Sequence, residues 1–419
     1  MSSPWDPRLI LSIVGLAVDL ALLAVLYIYL PKTAKTGHAR YMLRFAMVWA
    51  FGDVGVRWSV AQGYDDSVLR IVCEVVALVG MVSMSALWTH LAWLTTMDLE
   101  GRKRKDALDI YQLAVYIAAV ALIGIGFALR NGLDLGSRTF TVLFDAWFMA
   151  CVAWSIVRFT GPGYDGAPAI EQRSRQVLAA GTAVMFFLVL IDMLQTITGM
   201  PDLALATGLQ FVPMAVLSWG FLLKSKFIVE PVPMPVAKGS KAAGGGFHLS
   251  PGKLYMVLHE GPEGKGMALD LMRGQARRGR PILVFTDRKP LHYQRSPKLG
   301  GVPVARYISE GWDGPGGIDI ISKDELAMVP WMAKEFALES WMVDKEGDRT
   351  TGSAVIIDDA HVLSRVAGKD GTRNLLKGLA KAVKGSDQLR VVVLADKAAL
   401  GKRARLFERY GTPLEAHHV

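Results

Sequence analysis

The stretch LILSIVGLAVDLALLAVLYIYL (9–30) decides the fold of the first half of the chain. It carries one charged residue, Asp19, and it is long enough to cross the hydrocarbon core of a bilayer, which needs ~20 residues of helix. It lacks the basic start and the small-residue cleavage site of a signal peptide. We therefore expect this stretch to remain as a membrane span.

Comparable apolar runs recur as far as residue 224. The sequence predicts seven spans, at 9–30, 41–61, 68–94, 108–129, 140–159, 177–197 and 204–224. The composition agrees, because 52% of the residues are hydrophobic and the mean hydropathy is +0.30. Residues 1–229 are therefore predicted to form an all-α seven-helix transmembrane bundle.

Basic residues gather in alternate loops and predict the orientation of the bundle. They are Lys32, Lys35 and Arg40, then Arg102 to Lys105, then Arg173 and Arg175, and finally Lys224 and Lys226. Lys and Arg are retained on the cytoplasmic side. We expect a multi-pass protein of the cell membrane with its N-terminus outside and its C-terminal domain in the cytoplasm. The same rule accounts for the net charge of +9 without a nucleic-acid partner.

Polar residues inside spans are costly and are functional candidates by default. The predicted topology places most of them in the outer half of the bundle. The candidate ligand-binding residues are Asp53, Arg57, Glu74, Asp145, Asp192 and Gln195, with Asp19 and Gln210 as further polar residues in spans. Two interpretations stay open. The set forms a pocket for a small extracytoplasmic ligand, or it forms an ion-pair lattice, with Arg57 bound to Glu74 or Asp53, that only locks the helices.

The composition changes after the last predicted span. Residues 230–252, EPVPMPVAKGSKAAGGGFHLSPG, are typical of a Pro/Gly/Lys linker. Beyond it lie short apolar runs, at 254–258, 282–285, 304–308, 354–358 and 391–396. Predicted helices separate them, near 265–278, 323–341, 371–384 and 398–410. This alternation predicts an α/β domain over 253–419, with a parallel sheet covered by helices on both faces.

The segment EGPEGKGMALDLM (260–272) joins the first of these strands to a helix, which is where a phosphate-binding loop would lie. Gly264 and Lys265 match the Gly-Lys of that motif. Gly266 stands where the motif has the Ser or Thr that binds Mg²⁺. The candidate nucleotide-binding residues are Gly261, Gly264, Lys265 and Asp358, as a degenerate site. We expect no metal, no cofactor and no ATPase activity.

Two polar clusters follow strands at the edge where α/β proteins bind ligands. Asp287, Arg288 and Lys289 follow the second strand, and a solvated turn is the favoured interpretation. Asp358, Asp359 and His361 follow the fourth predicted strand. They could form an acid/base group, or Asp359 could cap the next helix.

The order of these elements resembles the RecA-type core of the circadian-clock ATPase family. The fit is closer to archaeal cytoplasmic domains catalogued as domain of unknown function 835, through RGRPILVFTDRKPLHYQR (278–295), RYISEG (306–311), IDIISKDELAMVPWMAKEFAL (318–338) and AVIIDDAHVL (354–363). The resemblance covers 252–411 and implies a RecA-like fold that has lost its phosphate loop. It implies no known activity. Members are often attached to membrane spans or sensory modules. The pair Asp358-Asp359 followed by Ala360-His361 departs from the family pattern.

These observations predict a sensor, that is, a receptor-like signal-transducing membrane protein in which an outer polar pocket is coupled to a non-catalytic cytoplasmic domain that binds a protein partner. Two alternatives stay open. One is a membrane-tethered nucleotide-binding protein or ATPase, and the other is an ion-coupled transporter with a regulatory domain. Gly124 and Ala128 form a small-x-x-x-small pair, which permits a homodimer.

Overall fold

The computed structural model describes two compact units of the chain. The described residues are 7–64, 68–96, 113–118, 120–122, 124–125, 136–161, 167–200, 205–232, 249–260, 266–288, 291–294, 299, 302–307, 317–320, 323–343, 352–384, 386 and 388–414. The first unit takes up most of the chain as far as Ser225, and the second takes up Lys226–Val419 with two short segments from earlier in the chain. The first unit is helical, and the second is an α/β unit.

Besides helical residues at 113–118, 120–122 and 124–125, the described part of the helical unit has helices of very different length. They are α1 (Pro7–Tyr29), α2 (Ala34–Ala61), α3 (Val68–Thr96), α4 (Gly136–Thr160), α5 (Ala169–Thr198), α6 (Leu205–Gly208) and α7 (Phe211–Leu222). Four stretches are long and apolar enough to cross a membrane, namely Pro7–Tyr29, Val68–Thr95, Thr141–Thr160 and Ala169–Thr198. They coincide with four of the predicted spans, so the unit is built to lie in a membrane.

The other three predicted spans have different outcomes. The run 41–61 lies within α2, which is long enough, but its charged residues set it apart from the four apolar stretches. Half of the run 108–129 is described, and its described residues, at 113–118, 120–122 and 124–125, are helical. The run 204–224 is interrupted, because α6 ends at Gly208 and α7 begins at Phe211.

Glycines bring α2 and α3 into backbone contact. An added Cβ at Gly80 would lie 2.3 Å from the backbone nitrogen of Trp49, and one at Gly52 would lie 2.4 Å from that of Ala77. Real Cβ atoms do not approach so closely, so these positions require glycine. The two helices are therefore packed more closely than side chains would allow.

A buried group of charges joins α5 to the end of α7. Glu171 is fully buried and accepts hydrogen bonds from Arg175 (Nε–Oε1 2.5 Å) and from Lys224 (Nζ–Oε2 3.0 Å). Arg175 also donates to the backbone oxygen of Thr95, at the end of α3 (3.1 Å). The sequence had indicated loop charges at Arg175 and Lys224, but in the structure both side chains are buried.

The α/β unit is built on one parallel sheet. Its strands are β1 (Leu254–His259), β2 (Ile282–Thr286), β3 (Val304–Arg306), β4 (Gly317–Asp319), β5 (Ser353–Ile357), β6 (Leu389–Asp396) and β7 (Thr412–Pro413). They lie in the order β4-β3-β2-β5-β6-β1-β7, and every neighbouring pair is parallel. The parallel sheet that the sequence predicted is confirmed.

Helices connect these strands and cover the sheet. They are α8 (Met267–Arg277), α9 (Leu291–Gln294), α10 (Lys323–Leu326), α11 (Met328–Val343), α12 (Ala360–Val383), α13 (Lys397–Leu400) and α14 (Ala404–Tyr410). Every residue of β2 and β5 is buried. Strands covered on both faces have no polar alternation, which is why these segments could be predicted from continuous apolar runs.

The sequence patterns missed β4 and β7 and placed the start of α12 too late. Both strands are very short and lie at the two edges of the sheet, and β7 ends in Pro413, which an edge strand tolerates. The helix α12 was expected from residue 371 and begins at Ala360. Gly368 has φ 70° within it, and this kink interrupts the helical pattern.

The chain reverses direction across the sheet between β2 and β5. It leaves β2 towards β3 on one side, and it leaves β5 towards β6 on the other side. In open parallel sheets, ligands bind in the crevice outside the carboxyl ends of strands at such a switch point. This edge therefore positions the candidate site.

Candidate functional site

Asp53 and Arg57 form a local ion pair on α2. The Nε of Arg57 donates to Oδ2 of Asp53 at 2.6 Å, and the hydroxyl of Ser12 on α1 donates to the same oxygen at 2.5 Å. Of the two pairings considered for Arg57, the structure shows the one with Asp53. This contact ties α1 to α2.

The other polar residues predicted for the membrane pocket have separate surroundings. Glu74 accepts a hydrogen bond from Arg70, one turn earlier on α3, at 2.9 Å. Asp145 is buried on α4, and Gln195 lies near the end of α5. The structure thus brings Asp53 and Arg57 together and gives Glu74 a partner that the sequence interpretation had not named.

Asp192 on α5 holds the start of α6. Its two carboxylate oxygens accept the backbone N–H groups of Leu205 (2.8 Å) and Ala206 (2.7 Å). The first N–H groups of a helix have no partner within the helix, so a carboxylate satisfies them well. Sequence reasoning missed this role, because nothing in the sequence joins position 192 to position 205.

The second cluster lies at the switch point of the sheet. Asp287 and Arg288 follow β2, and Asp358 and Asp359 follow β5, whose Ile357 pairs with Phe285. Arg288 donates to both oxygens of Asp359, with Nε–Oδ2 2.5 Å and Nη2–Oδ1 2.9 Å. This bidentate geometry is the strong form of an arginine–carboxylate pair.

Asp358 is enclosed by hydrogen bonds from the protein. It is 2% exposed, and its Oδ2 accepts the hydroxyl of Tyr293 at 2.6 Å while its Oδ1 accepts the backbone N–H of Asp359 at 2.9 Å. The hydroxyl of Tyr307 donates to its backbone oxygen. Burial and the negative charge of Asp359 raise the pKa of Asp358 above its ordinary value. The carboxylate of Asp358, a candidate nucleotide-binding residue in the sequence, is thus already hydrogen-bonded within the protein.

Asp359 is in the N-cap position of α12, but its side chain does not cap the helix. Its φ of 52° and ψ of 38° are left-handed, which costs a non-glycine residue of order 1 kcal/mol or more. The side chain turns to Arg288 instead. Burial acts to raise the pKa of Asp359, but the hydrogen bonds and charge of Arg288 hold it below its ordinary value.

Asp287 adds a third carboxyl group to the cluster. Burial, a hydrogen bond to the Asp359 carboxyl and the charge of Asp359 raise the pKa of Asp287 to about 6. Its Oδ1 is buried and has no hydrogen-bond partner. The solvated turn favoured by the sequence is wrong for Asp287 and Arg288, which belong to this cluster. Lys289 lies outside the described residues.

Two histidines and an aspartate lie along the same edge of the sheet. His259 ends β1 beside Asp396, which ends β6, and His361 lies in the first turn of α12. Burial lowers the pKa of His361, so it is neutral at pH 7. No three His, Cys, Asp or Glu residues within the described ranges are placed to hold a metal ion.

The candidate phosphate loop lies between β1 and α8 in the chain. Gly261, Gly264 and Lys265 lie outside the described residues. The structure does show that β1 ends at His259 and that α8 begins after Gly266, which is in its N-cap position. The strand and the helix on either side of this segment thus follow one another as the sequence predicted.

The side chains of Asp358 and Asp359 are already hydrogen-bonded to neighbouring groups of the protein. A Mg²⁺ ion binding Asp358 or Asp359 would have to displace the hydroxyl of Tyr293 or the guanidinium of Arg288. No protein-family model matches the chain, and no curated protein is significantly similar to it. The apolar helices and the parallel sheet together define the class of protein, which is a membrane-embedded helical protein that carries a parallel α/β unit.

Proposed function

We propose that this chain is an integral membrane signal-transducing protein. Its helical unit crosses the membrane seven times with the N-terminus outside, and its α/β unit is a cytoplasmic domain that binds a protein partner without catalysing a reaction. The proposal joins two features of the molecule. The first unit has several apolar helices of spanning length, and the second has a sheet edge at which Asp358 and Asp359 are already hydrogen-bonded within the protein.

The single observation that carries the non-catalytic role is the state of Asp358 and Asp359. Metal-assisted phosphoryl transfer needs a carboxylate and a hydroxyl free to organise Mg²⁺. Asp358 is bound by Tyr293, Asp359 is neutralised by Arg288, and Gly266 supplies no hydroxyl. These contacts favour a domain that recognises a partner over one that hydrolyses a nucleotide.

The order of the strands supports the RecA-like fold that the sequence resemblance implies. The strand that precedes the glycine-rich loop, β1, is separated by one strand, β6, from the strand that carries the acidic pair, β5. The resemblance to archaeal domains of unknown function 835, which are often attached to sensory modules, supports a role in signal relay.

An exposed apolar side chain near the cluster supports partner binding. Val366 on α12 is 38% exposed, and it is the one exposed large hydrophobic residue among those described in the α/β unit. It lies five residues after His361, on the helix that starts at Asp359. An isolated exposed Val is ordinary, but this one lies about two helical turns after Asp359, on the helix that follows the acidic pair.

Nucleotide titration of the full-length protein in nanodiscs tests the non-catalytic assignment. We expect no release of phosphate from Mg·ATP above that of empty nanodiscs. Phosphate release that is lost in Lys265→Ala would establish an ATPase instead. Binding of ATP or ADP without turnover, also lost in Lys265→Ala, would make the α/β unit a nucleotide-dependent switch.

A photo-crosslinking residue placed at Val366 tests the partner assignment in intact cells. We expect an adduct with a cytoplasmic protein, and the same residue at the exposed Arg273 on α8 serves as the matched control. Identical adducts from both positions, or none from Val366, would contradict a docking surface at this end of α12.

A further inference from the structure

Asp19 is a buried carboxylate without a hydrogen-bond donor. It lies in the middle of α1, its side chain is fully buried, and neither of its oxygens has a hydrogen-bond partner. Burying an unpartnered carboxylate is very costly, and inside a membrane span it marks a functional position by default. Neither the ion pair of Asp53 nor the helix cap of Asp192 involves this residue.

Gln210 presents a second buried acceptor without a donor. It lies in the break between α6 and α7, and its Nε2 donates to the backbone oxygen of Ala46 on α2 at 3.0 Å. Its Oε1 is buried and has no hydrogen-bond partner. The amide is therefore fixed by its nitrogen, and its oxygen stays without a donor.

The register of α1 and α2 places these two acceptors at one depth. The two helices run antiparallel, since Ser12 contacts Asp53 near one end and Arg40 donates to the Leu26 backbone oxygen near the other. Asp19 lies seven residues after Ser12, and Ala46 lies seven residues before Asp53. Both shifts correspond to about 10 Å along a helix, so Asp19 lies at the level of the carbonyl that holds Gln210.

The break between α6 and α7 places a further backbone carbonyl, that of Gly208, against the face of α1 that carries Asp19. In a continuous helix the N–H of Val212 would bond to the oxygen of Gly208, but here it donates to Leu209 instead, at 2.9 Å. An added Cβ at Gly15 would lie 3.9 Å from that Gly208 oxygen. Gly15 lies one turn from Asp19, on the same buried face of α1.

The charged groups that pack against α1 are already engaged elsewhere. Those on α2 are Lys35, His38, Arg40, Arg44, Asp53 and Arg57, whereas α6 and α7 carry none. The charged residues of α2 nearest in sequence to Ala46 are Arg44, Arg40 and Asp53. Arg44 contacts the hydroxyl and the ring of Tyr27. Arg40 donates to two backbone oxygens of α1, and Asp53 accepts from Arg57. A side-chain cation is thus not supplied to Asp19 by the helices described here.

We propose that Asp19, the Oε1 of Gln210 and the backbone carbonyl of Gly208 form a buried site for a monovalent cation, either a proton on Asp19 or Na⁺. All the groups are acceptors, and a cation satisfies them where no donor is present. Unwound carbonyls beside a carboxylate are the arrangement in which broken membrane helices hold Na⁺ or H⁺. The bound cation would join α1, α2 and α7.

Thermal unfolding of the full-length protein in nanodiscs tests the site and separates the two cations. One series varies NaCl against choline chloride at constant ionic strength and pH 8, and the other varies pH without sodium. If Na⁺ is the ligand, the melting temperature rises with NaCl but not with choline chloride. If the proton is the ligand, the melting temperature rises as pH falls and NaCl has no specific effect.

Two variants make the test specific. Asp19→Asn carries an amide N–H that can donate to Gln210, so we expect it to fold and to lose the cation dependence. Gln210→Leu keeps the carboxylate but loses one oxygen. We expect it to need about tenfold more Na⁺, or a pH about one unit lower, for half of the effect. This second variant keeps the proposal testable if Asp19→Asn fails to fold.

Ser155→Ala is the matched control, because Ser155 is a buried polar residue of α4 that bonds only to the backbone oxygen of Cys151 in the described contacts. It should retain the wild-type dependence. The proposal is overturned if wild type and Asp19→Asn, or wild type and Gln210→Leu, respond identically to both NaCl and pH. Retention of radioactive sodium by the wild type and not by Asp19→Asn would identify Na⁺ directly.

Discussion

At the scale of single residues, the pair formed by Arg288 and Asp359 holds together the ends of two strands. Arg288→Ala would leave the buried carboxylate of Asp359 without its two donors and beside the carboxyl of Asp287. We expect the free energy of unfolding of the α/β unit to fall by about 2–3 kcal/mol, since hydrogen bonds to charged groups are lost. Hydrogen exchange at the amides of β2 and β5 in the full-length protein measures this loss.

Arg273→Ala is the matched control for that variant. Arg273 pairs with Asp270 at 3.1 Å, but the two side chains are 53% and 66% exposed. Exposed pairs are worth little, so the change should stay within about 0.5 kcal/mol. Equal effects of the two variants would mean that the Arg288 pair is no stronger than a surface pair.

The raised pKa of Asp287 predicts a pH dependence with a defined sign. Its folded pKa of about 6 lies above the ordinary 3.8, so its contribution to stability is complete below pH 3.8 and is lost as pH rises through 6. Relative to wild type, Asp287→Asn should therefore gain stability between pH 4 and pH 7. Chemical denaturation at several pH values measures the difference.

His361 works in the opposite direction, because its lowered pKa makes stability fall as pH drops. It is present in both proteins of the comparison, so the difference between Asp287→Asn and wild type isolates Asp287. The exposed Asp270→Asn is the control, and its curve is expected to run parallel to that of wild type. A parallel curve for Asp287→Asn as well would refute the prediction.

Part of the cluster could be predicted from the sequence and part could not. A strand pattern that ends in Asp358 places that residue at the carboxyl edge, and this placement is correct. Its partners Tyr293 and Tyr307 lie more than fifty residues earlier, on α9 and just after β3. Tyrosine in a short helix or after a strand carries no signal of its partner, so only the fold reveals the enclosed carboxylate.

At the scale of elements, the contact between α2 and α3 depends on the absence of side chains. Gly80→Ala would press a methyl group against the backbone of Trp49 and force the helices apart. Overpacking of this kind costs about 1–3 kcal/mol. We expect a lower melting temperature for the protein in nanodiscs, followed by tryptophan fluorescence.

Gly37→Ala tests whether that loss comes from the helix contact. Gly37 also lies on α2, but an added Cβ there would meet nothing within 4 Å. Alanine favours a helix over glycine by up to about 1 kcal/mol, so this variant should be neutral or slightly more stable. A similar loss in both variants would assign the effect to the helix itself.

Apolar patterns in the sequence predicted some spans correctly but did not predict the break in the seventh. Continuous apolar runs identified α1 and α3, because a helix surrounded by lipid or protein has no polar face. The seventh run is equally apolar, yet Leu209 and Gln210 interrupt its helix. The break follows from contacts that hydropathy does not record, including the bond from Gln210 to α2 and the cap that Asp192 places on α6.

At the scale of the whole molecule, the proposed topology predicts which positions are reached from outside the cell. Single cysteines can be placed at Tyr64 and Met200, which are 54% and 63% exposed, in a protein lacking Cys73 and Cys151. A membrane-impermeant maleimide added to intact cells should label both. It should label a cysteine at Arg273 only after the membrane is opened. Labelling of Arg273→Cys in intact cells would reverse the orientation.

The buried pair of Glu171 with Arg175 and Lys224 has a consequence for how the molecule is made. Basic residues bias orientation while the chain is being inserted, before its helices have packed. In the proposed topology Arg175 and Lys224 act at that stage as cytoplasmic charges. In the folded unit Lys224 is 2% exposed and is bound to Glu171. The same two basic residues thus act twice, first as free charges that bias insertion and afterwards as buried partners of Glu171 that hold α5 to the end of α7.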